Sequence, residues 1–311
     1  MTENTVLLLG ATGTIGRATL AALEMAGHRV IAPVRSANGI ANRTNVTLYQ
    51  GDPEQVLRET AVDAVISCVA SRDGLDAWDI DYGLNARVLK AAIAADVPNF
   101  VLLSAICVQK PMLAFQHAKL AFEAELREAP LTWSIVRPTA FFKSLSGQVS
   151  RLRQGKRFLL FGDGKLTRCK PISDRDIAQF LVLCLSDPAR QNKVLPIGGP
   201  GAAITPQEQG EMLFDALGMA PKFRHVPLGM MRAIIAGLTP LSGLSSSLRT
   251  KAELARIGYY YATESMVLWD EGTGQYVPNK TPEFGADRLI DHYRALARGE
   301  VADNRREHAV F

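Results

Sequence analysis

Cysteine and histidine are scarce in this chain, and neither is grouped. The four cysteines (Cys68, Cys107, Cys169, Cys184) form no C-x-x-C pair, and the five histidines stand far apart. Zinc sites and thioredoxin-type centres need close ligand spacing, so no metal is expected. Reduced, buried thiols in a cytoplasmic protein are the expectation for the cysteines. Long apolar runs are missing too. The first covers only 6–9, and the stretch over 228–244 is interrupted by Arg232, Gly237 and Pro240. Neither a secretory signal nor an integral membrane segment is expected, although 228–244 can lie against a bilayer or line an apolar pocket. Net charge is also small: 35 Lys and Arg against 31 Asp and Glu leave +4, far from a nucleic-acid footprint. Redox chemistry, if this chain performs any, has to come from an organic cofactor. What remains, 47% hydrophobic and 21% charged over 311 residues, is a globular chain long enough for two unequal lobes.

Short apolar runs alternate with helical stretches through the first half. Strands are predicted over 6–9, 29–34, 46–49, 64–69, 100–104 and 133–137, with helices over 15–26, 79–95 and 116–127. Strands apolar at nearly every position, separated by helices, require a parallel sheet covered on both faces. Right-handed crossovers then give an α/β doubly wound parallel sheet. After Pro138 the rhythm loosens. Helices are predicted over 139–154, 174–185 and 206–217, the last capped by Thr205, and strands over 158–161 and 194–197. The rest reads as mostly helical, with a Gly/Ser break over 242–247 and Tyr259-Tyr260-Tyr261 on a later helix. The expected division is a cofactor domain over 1–140, with sheet and helix additions from about 172–200. A smaller, mostly helical, substrate-covering lobe takes 141–171 and 201–302, and a tail follows over 303–311.

Between the first strand and the first helix lies Gly10-Ala11-Thr12-Gly13-Thr14-Ile15-Gly16. One glycine permits the tight turn, one lets a pyrophosphate approach the backbone, and one lets helix pack on strand. The helix N-terminus presents N–H groups and a positive dipole end to the phosphates. This is a Rossmann-type dinucleotide site. An acidic residue at the end of the second strand would accept from the ribose diol and repel a 2′-phosphate. This chain has Arg35-Ser36 there, a guanidinium fork and a hydroxyl suited to a phosphate, which selects NADPH; a solvated surface arginine is the alternative.

The G-x-x-G-x-x-G spacing resembles the extended and atypical branches of the short-chain dehydrogenase/reductase superfamily. That resemblance implies an adenine contact at Asp52, a place for Cys68 among the cofactor contacts, and Ser104 at the end of the fifth strand. It also implies Tyr-x-x-x-Lys on the next helix, where the tyrosine moves the carbonyl proton. Here the helix reads Phe115-Gln116-His117-Ala118-Lys119: the lysine is present and the tyrosine is not. Phenylalanine cannot transfer a proton, which removes ordinary alcohol–ketone chemistry and sugar-nucleotide epimerisation. Two readings survive: a reductase of carbon–carbon double bonds, and a non-catalytic NADPH binder such as a redox sensor or complex-associated subunit. His117, two residues from Lys119, lies on another face of the helix and is a weak substitute donor.

Two further segments narrow the choice. Val136-Arg137-Pro138-Thr139-Ala140-Phe141-Phe142-Lys143-Ser144-Leu145, and Phe161-Gly162-Asp163-Gly164-Lys165 continuing through Arg168, Lys170 and Pro171 to Asp174, resemble the divinyl chlorophyllide a 8-vinyl-reductases. The tyrosine-less Phe115–Lys119 segment resembles theirs as well, and the resemblance runs from residue 5 to about residue 220. It implies NADPH-dependent reduction of the 8-vinyl group of 3,8-divinyl (proto)chlorophyllide a to ethyl, in chlorophyll or bacteriochlorophyll synthesis. A tetrapyrrole is then the small-molecule partner, and peripheral contact with photosynthetic membranes is left open. Lys119 is the catalytic residue, holding the nicotinamide ribose and supplying a proton directly or through a water. Pro138 and Thr139 are expected at the nicotinamide through backbone groups, with Phe141 and Phe142 beside it as substrate contacts.

Seven basic residues (Arg151, Arg153, Lys156, Arg157, Lys165, Arg168, Lys170) against one acid, Asp163, fill the span from Arg151 to Lys170. A solvated face is the plain reading of such a run. In the functional one, Arg168 or Lys170 meets the substrate's propionate. Leu228, Met230, Met231, Ile234, Ile235 and Leu238 form a stripe that can wall a macrocycle, though such spacing more often marks ordinary core.

Overall fold

The computed structural model describes residues 3–35, 44–72 and 74–301. Its organising element is a seven-stranded, all-parallel sheet. The first six strands are β1 (Thr5–Leu9), β2 (Arg29–Pro33), β3 (Val46–Tyr49), β4 (Ala64–Ser67), β5 (Asn99–Leu103) and β6 (Thr132–Pro138). After β7 (Phe158–Phe161), which lies elsewhere, β8 (Lys193–Ile197) returns to complete the order β3-β2-β1-β4-β5-β6-β8. The order reverses at β1, which opens a crevice at the carboxyl edge beside it, the usual place for a ligand in such sheets.

Both faces of the sheet are covered, which is why its strands are apolar at consecutive positions. Val6 and Leu8 pack on one side with Ile15, Leu20 and Leu23 of α1 (Thr14–Met25). Leu7 and Leu9 pack on the other with α2 (Pro53–Glu59), α3 (Asn85–Ala94) and α4 (Ala114–Arg127). The short α2 escapes prediction because only the adjacent Val56 and Leu57 are buried, too few to show a helical period. The helix expected over 79–95 is in fact two pieces: a π-helical turn, Trp78–Leu84, runs into α3.

The helix expected over 139–154 also breaks. Phe141 is extended and bridges Ile172, after which come only the short α5 (Phe142–Leu145) and α6 (Val149–Arg153). Beyond them α7 (Asp174–Leu183) returns to the main sheet, packing Ile177, Phe180 and Leu181 on the α1 side. A smaller lobe gathers α5, α6, β7, α8 (Pro206–Ala216) and β9 (Phe223–Val226), with β7 and β9 forming a parallel pair. Phe158, Phe214 and Phe223 pack there edge to face, and a Cβ at Gly210 would come within 2.6 Å of the Phe223 ring.

The chain continues through α9 (Leu228–Leu241) and α10 (Ser246–Thr263) to the hairpin β10 (Trp269–Asp270) and β11 (Gln275–Tyr276). Helix α11 (Leu289–Arg298) joins the smaller lobe's core through Leu289, Tyr293 and Leu296. Of the expected apolar stripe on α9, only Met231 is buried, while Met230 and Ile234 are exposed. Among the described residues no helix is long and apolar enough to cross a membrane.

Candidate functional site

The turn after β1 is shaped by contacts that only glycine permits at two positions. Gly10 adopts φ +76°, and a Cβ there would lie 2.9 Å from the backbone carbonyl group of Cys68. A Cβ on Gly16 would sit 2.0 Å from Gly10 O, so helix and turn could not close together. Gly13 differs: its Cβ would meet only Gly10 O, at 3.3 Å, among the described residues. Packing therefore demands Gly10 and Gly16, whereas Gly13 keeps an open side at the start of α1. Gly13 is also the N-cap of α1, with no capping side chain and no acid in the first turn. The N–H groups of Ile15 and Gly16, which a helix leaves without intrahelical partners, and the positive dipole end remain available to an anion. Arg17 Nε braces the loop by donating to Thr12 O at 2.8 Å. This cradle fits the pyrophosphate of a nicotinamide dinucleotide.

The neighbouring cofactor contacts are less alike than the sequence suggests. Cys68 underlies Gly10 with its backbone, while its thiol turns toward Thr19 at 3.7 Å and burial pushes its pKa up to about 12. Any contribution from Cys68 thus comes from main chain. Arg35 is exposed just past β2, and Ser36 lies outside the described residues. Asp52 is exposed at the N-cap of α2.

Lys119 projects from α4 into a buried polar chain. Its Nζ lies 2.8 Å from Asp81 Oδ1, with the two side chains only 7% and 0% exposed. The other Asp81 oxygen accepts from the Ser71 backbone N–H at 3.1 Å. Asn85 Nδ2 donates to Asp81 O at 3.0 Å, and Ser67 Oγ donates to Asn85 Oδ1 at 2.6 Å. The π-helical turn presents Asp81 here, in keeping with the concentration of π-bulges at functional sites. A buried ammonium needs a counter-charge, but its position in sequence is not deducible from the lysine alone.

Ser104 proves to be tied elsewhere. Its hydroxyl donates to the buried carboxylate of Glu123, one helical turn beyond Lys119, and Arg137 holds both oxygens of that carboxylate. The serine thus fastens β5 to α4. Phe115 is half-buried in a cluster with Ala105, Cys107, Ala140 and Tyr261. Tyr261, far from Phe115 in the sequence, packs against the same cluster. Burial, then the neighbouring Cys107 thiol, hold its pKa well above the ordinary value. His117 is exposed while Lys119 is buried, as their spacing requires.

The expected substrate contacts separate into two groups. Phe142 is buried in the smaller lobe's core against His292, with ring centroids 5.5 Å apart, which removes it from the open edge. Lys170 is also withdrawn: its ammonium pairs with Glu283 and donates to Thr281 O at 3.3 Å. A propionate would have to displace that carboxylate. Thr139 gives its N–H to Ile197 O at 2.9 Å and its hydroxyl to Lys170 O, so a cofactor contact from Pro138-Thr139 falls to carbonyl oxygens. Phe141 is half-buried against the α1-side core, whereas Arg168 is exposed and lowers the pKa of Glu208 as a minor contributor. The basic run is not one surface. Arg151 and Arg153 donate to the carbonyls of Arg157 and Leu296, and only the Lys165–Arg168 loop carries exposed cations beside an exposed apolar side chain, Leu166.

One unanticipated residue reaches the loop: Lys143 Nζ donates to Thr14 Oγ1 at 2.7 Å. Its position in a segment shared with a reductase family was the available signal.

Comparison with known proteins agrees with this geometry. Residues 10–188 match the family model described as NAD(P)H-binding. The divinyl chlorophyllide a 8-vinyl-reductase of Zea mays is 46% identical over 99% of this chain and 83% of its own length. Its Arabidopsis thaliana counterpart is 44% identical over 96% of this chain and 78% of its own. Among solved structures, the Thermus thermophilus UDP-glucose 4-epimerase in complex with NAD superposes with a TM-score of 0.61 at 18% identity. That match covers 72% of this chain and 86% of the epimerase, and it speaks to the fold alone. With a nicotinamide cradle at its first turn and close relatives over nearly its whole length, this chain belongs to the divinyl chlorophyllide a 8-vinyl-reductase family of NAD(P)H-binding proteins.

Proposed function

We propose that this protein uses NADPH to reduce the 8-vinyl group of 3,8-divinyl chlorophyllide a, or its protochlorophyllide precursor, to ethyl. The observation that carries the reading is a buried Lys119 beside Phe115, a phenylalanine where an alcohol dehydrogenase needs tyrosine. The bound cofactor supplies the hydride. Addition at the vinyl terminus spreads negative charge through the conjugated macrocycle, so the demand for immediate protonation is weaker than for an alkoxide. Lys119, oriented by Asp81, holds the nicotinamide ribose and delivers the proton directly or through a water. Phe115 and Phe141 offer apolar surface to the ring, and the exposed Arg168 meets the propionate. Arg35 selects the 2′-phosphate of NADPH.

We place the substrate-covering function in the smaller lobe over 141–171 and 201–302. Peripheral contact with pigment membranes is assigned to α9, where Met230 and Ile234 are exposed near Arg232. The test is optical: purified protein, NADPH and divinyl chlorophyllide, followed for a blue shift of the Soret band. NADPH binding without any shift would overturn the reductase reading and favour a non-catalytic binder.

A further inference from the structure

We propose that the corner formed by α9 and α10 docks on an anionic lipid bilayer, the outer stripe of α9 entering the interface and the cations of the same segment meeting the headgroups. This rests on the assignment of α9 to pigment membranes made above, and adds to it the charge of the lipid and the extent of the surface.

Helix α9 is apolar on nearly every side, a pattern that ordinarily belongs to a helix enclosed by other elements. Here one side alone is enclosed. Met231 is buried in a small cluster with Val226 and Ala262, against which Leu228 and Tyr259 pack. Arg256 of α10 ties the far end by donating to Thr239 Oγ1 at 2.9 Å. The other side faces out. Met230, Ala233, Ile234, Gly237 and Leu241 recur at helical spacing, all exposed, and Leu244 continues the run in the turn before α10. Met230, Ile234, Leu241 and Leu244 are between 44% and 76% exposed. A single leucine in water is ordinary, but a contiguous apolar face marks a surface that something covers.

Charge identifies the occupant. From 216 to 252 the chain has five cations, Lys222, Arg224, Arg232, Arg249 and Lys251, all exposed, and no Asp or Glu. The whole chain has 35 Lys and Arg against 31 Asp and Glu, so outside this span the balance is 30 against 31. The net positive charge therefore resides in the one span that carries the bare apolar face. A second copy of the chain, seated on this face by two-fold symmetry, would set these cations against themselves. A zwitterionic surface would leave them without counter-charge. An anionic bilayer complements both features. Apolar side chains enter the acyl boundary, while Lys and Arg keep their heads among the lipid headgroups, each cation raising affinity on the order of fivefold.

The test is co-sedimentation of the whole protein with pigment-free vesicles, made of phosphatidylcholine alone or of an equal mixture with phosphatidylglycerol. Wild type should bind the mixed vesicles, less tightly as salt is raised, and bind phosphatidylcholine only weakly. Leu241→Gln with Leu244→Gln should lose binding to the mixed vesicles. Arg232→Gln with Arg249→Gln should weaken it on the order of 25-fold and flatten its salt dependence. All four positions are exposed, so melting curves and NADPH affinity should stay those of wild type. If the leucine pair shifts the melting curve, Leu244→Gln alone carries the same expectation. Equal binding to both vesicles would overturn the choice of anionic lipid and leave membrane contact standing. Wild-type binding to neither would overturn both. Undiminished binding by the leucine variants would move the contact off α9 and overturn the proposal. A wild-type dimer that the leucine pair dissociates, without vesicle binding, would give the face to a second copy instead. No pigment enters the assay, so its outcome is independent of the Soret test of the reductase reading.

Discussion

Lys119 and Lys170 are buried almost equally, 7% and 5% exposed at the side chain, and each meets a carboxylate. Their partners differ. Asp81 is fully enclosed, while Glu283 is 49% exposed on the segment leading to α11. An enclosed pair leaves an uncompensated charge when one member is removed, whereas a half-wetted partner is rescued by water. The comparison separates the lysine proposed for chemistry from one paired with a half-exposed carboxylate, although both look alike as basic residues in the sequence.

The largest effect is expected at the enclosed pair. Lys119→Met should abolish turnover and lower stability by about 3–5 kcal/mol, because Asp81 is left buried and charged. Adding Asp81→Asn should restore most of the stability in denaturant unfolding but none of the turnover. Recovery of turnover in the double variant would reduce Lys119 to a structural role.

A third buried charge extends the comparison. Asp174 has its pKa raised to about 6 by burial, so the fold favours its protonated form. Its stabilising contribution is complete below the unfolded carboxyl value near 4, and it is lost as pH rises through about 6. Asp174→Asn should therefore be more stable than wild type at pH 7.5, by up to about 3 kcal/mol, with the advantage vanishing near pH 4. A pH-independent difference in unfolding free energy would contradict this origin.

The smallest effects on stability belong to Lys170 and Arg168. Lys170→Met should cost about 1 kcal/mol of stability, since Glu283 relaxes into solvent, and leave KM for the divinyl substrate unchanged. Arg168→Ala should leave stability within about 0.5 kcal/mol while raising KM and flattening its salt dependence. Reversed KM effects in these two variants would exchange their roles.

The first βαβ unit was legible because its signals are local: an apolar strand, a glycine turn and an amphipathic helix follow one another without interruption. The edges of α5 and α6 were not, since Phe141 is drawn out of the helical pattern by Ile172, thirty-one residues ahead. Much of the site depends on such distant partners. Asp81 beneath Lys119, Glu123 beneath Ser104, Glu283 beside Lys170 and Tyr261 in the cluster that holds Phe115 are all meetings that sequence spacing does not encode. Residue types announced which groups would need partners; only the fold assigned them.

The return of α7 and β8 to the main sheet also bears on how the chain folds during synthesis. Helix α7 covers the same face as α1, and β8 pairs with β6 only after the segment carrying α5, α6 and β7 has been made. Until α7 leaves the ribosome, that face, with Val6, Leu8, Val30 and Ile66, lacks the cover that α7 supplies. A nascent chain therefore holds an incomplete sheet in water for the whole time this insertion is translated. This long-range closure is slow to form and prone to association, which makes the interval the natural point for chaperone capture.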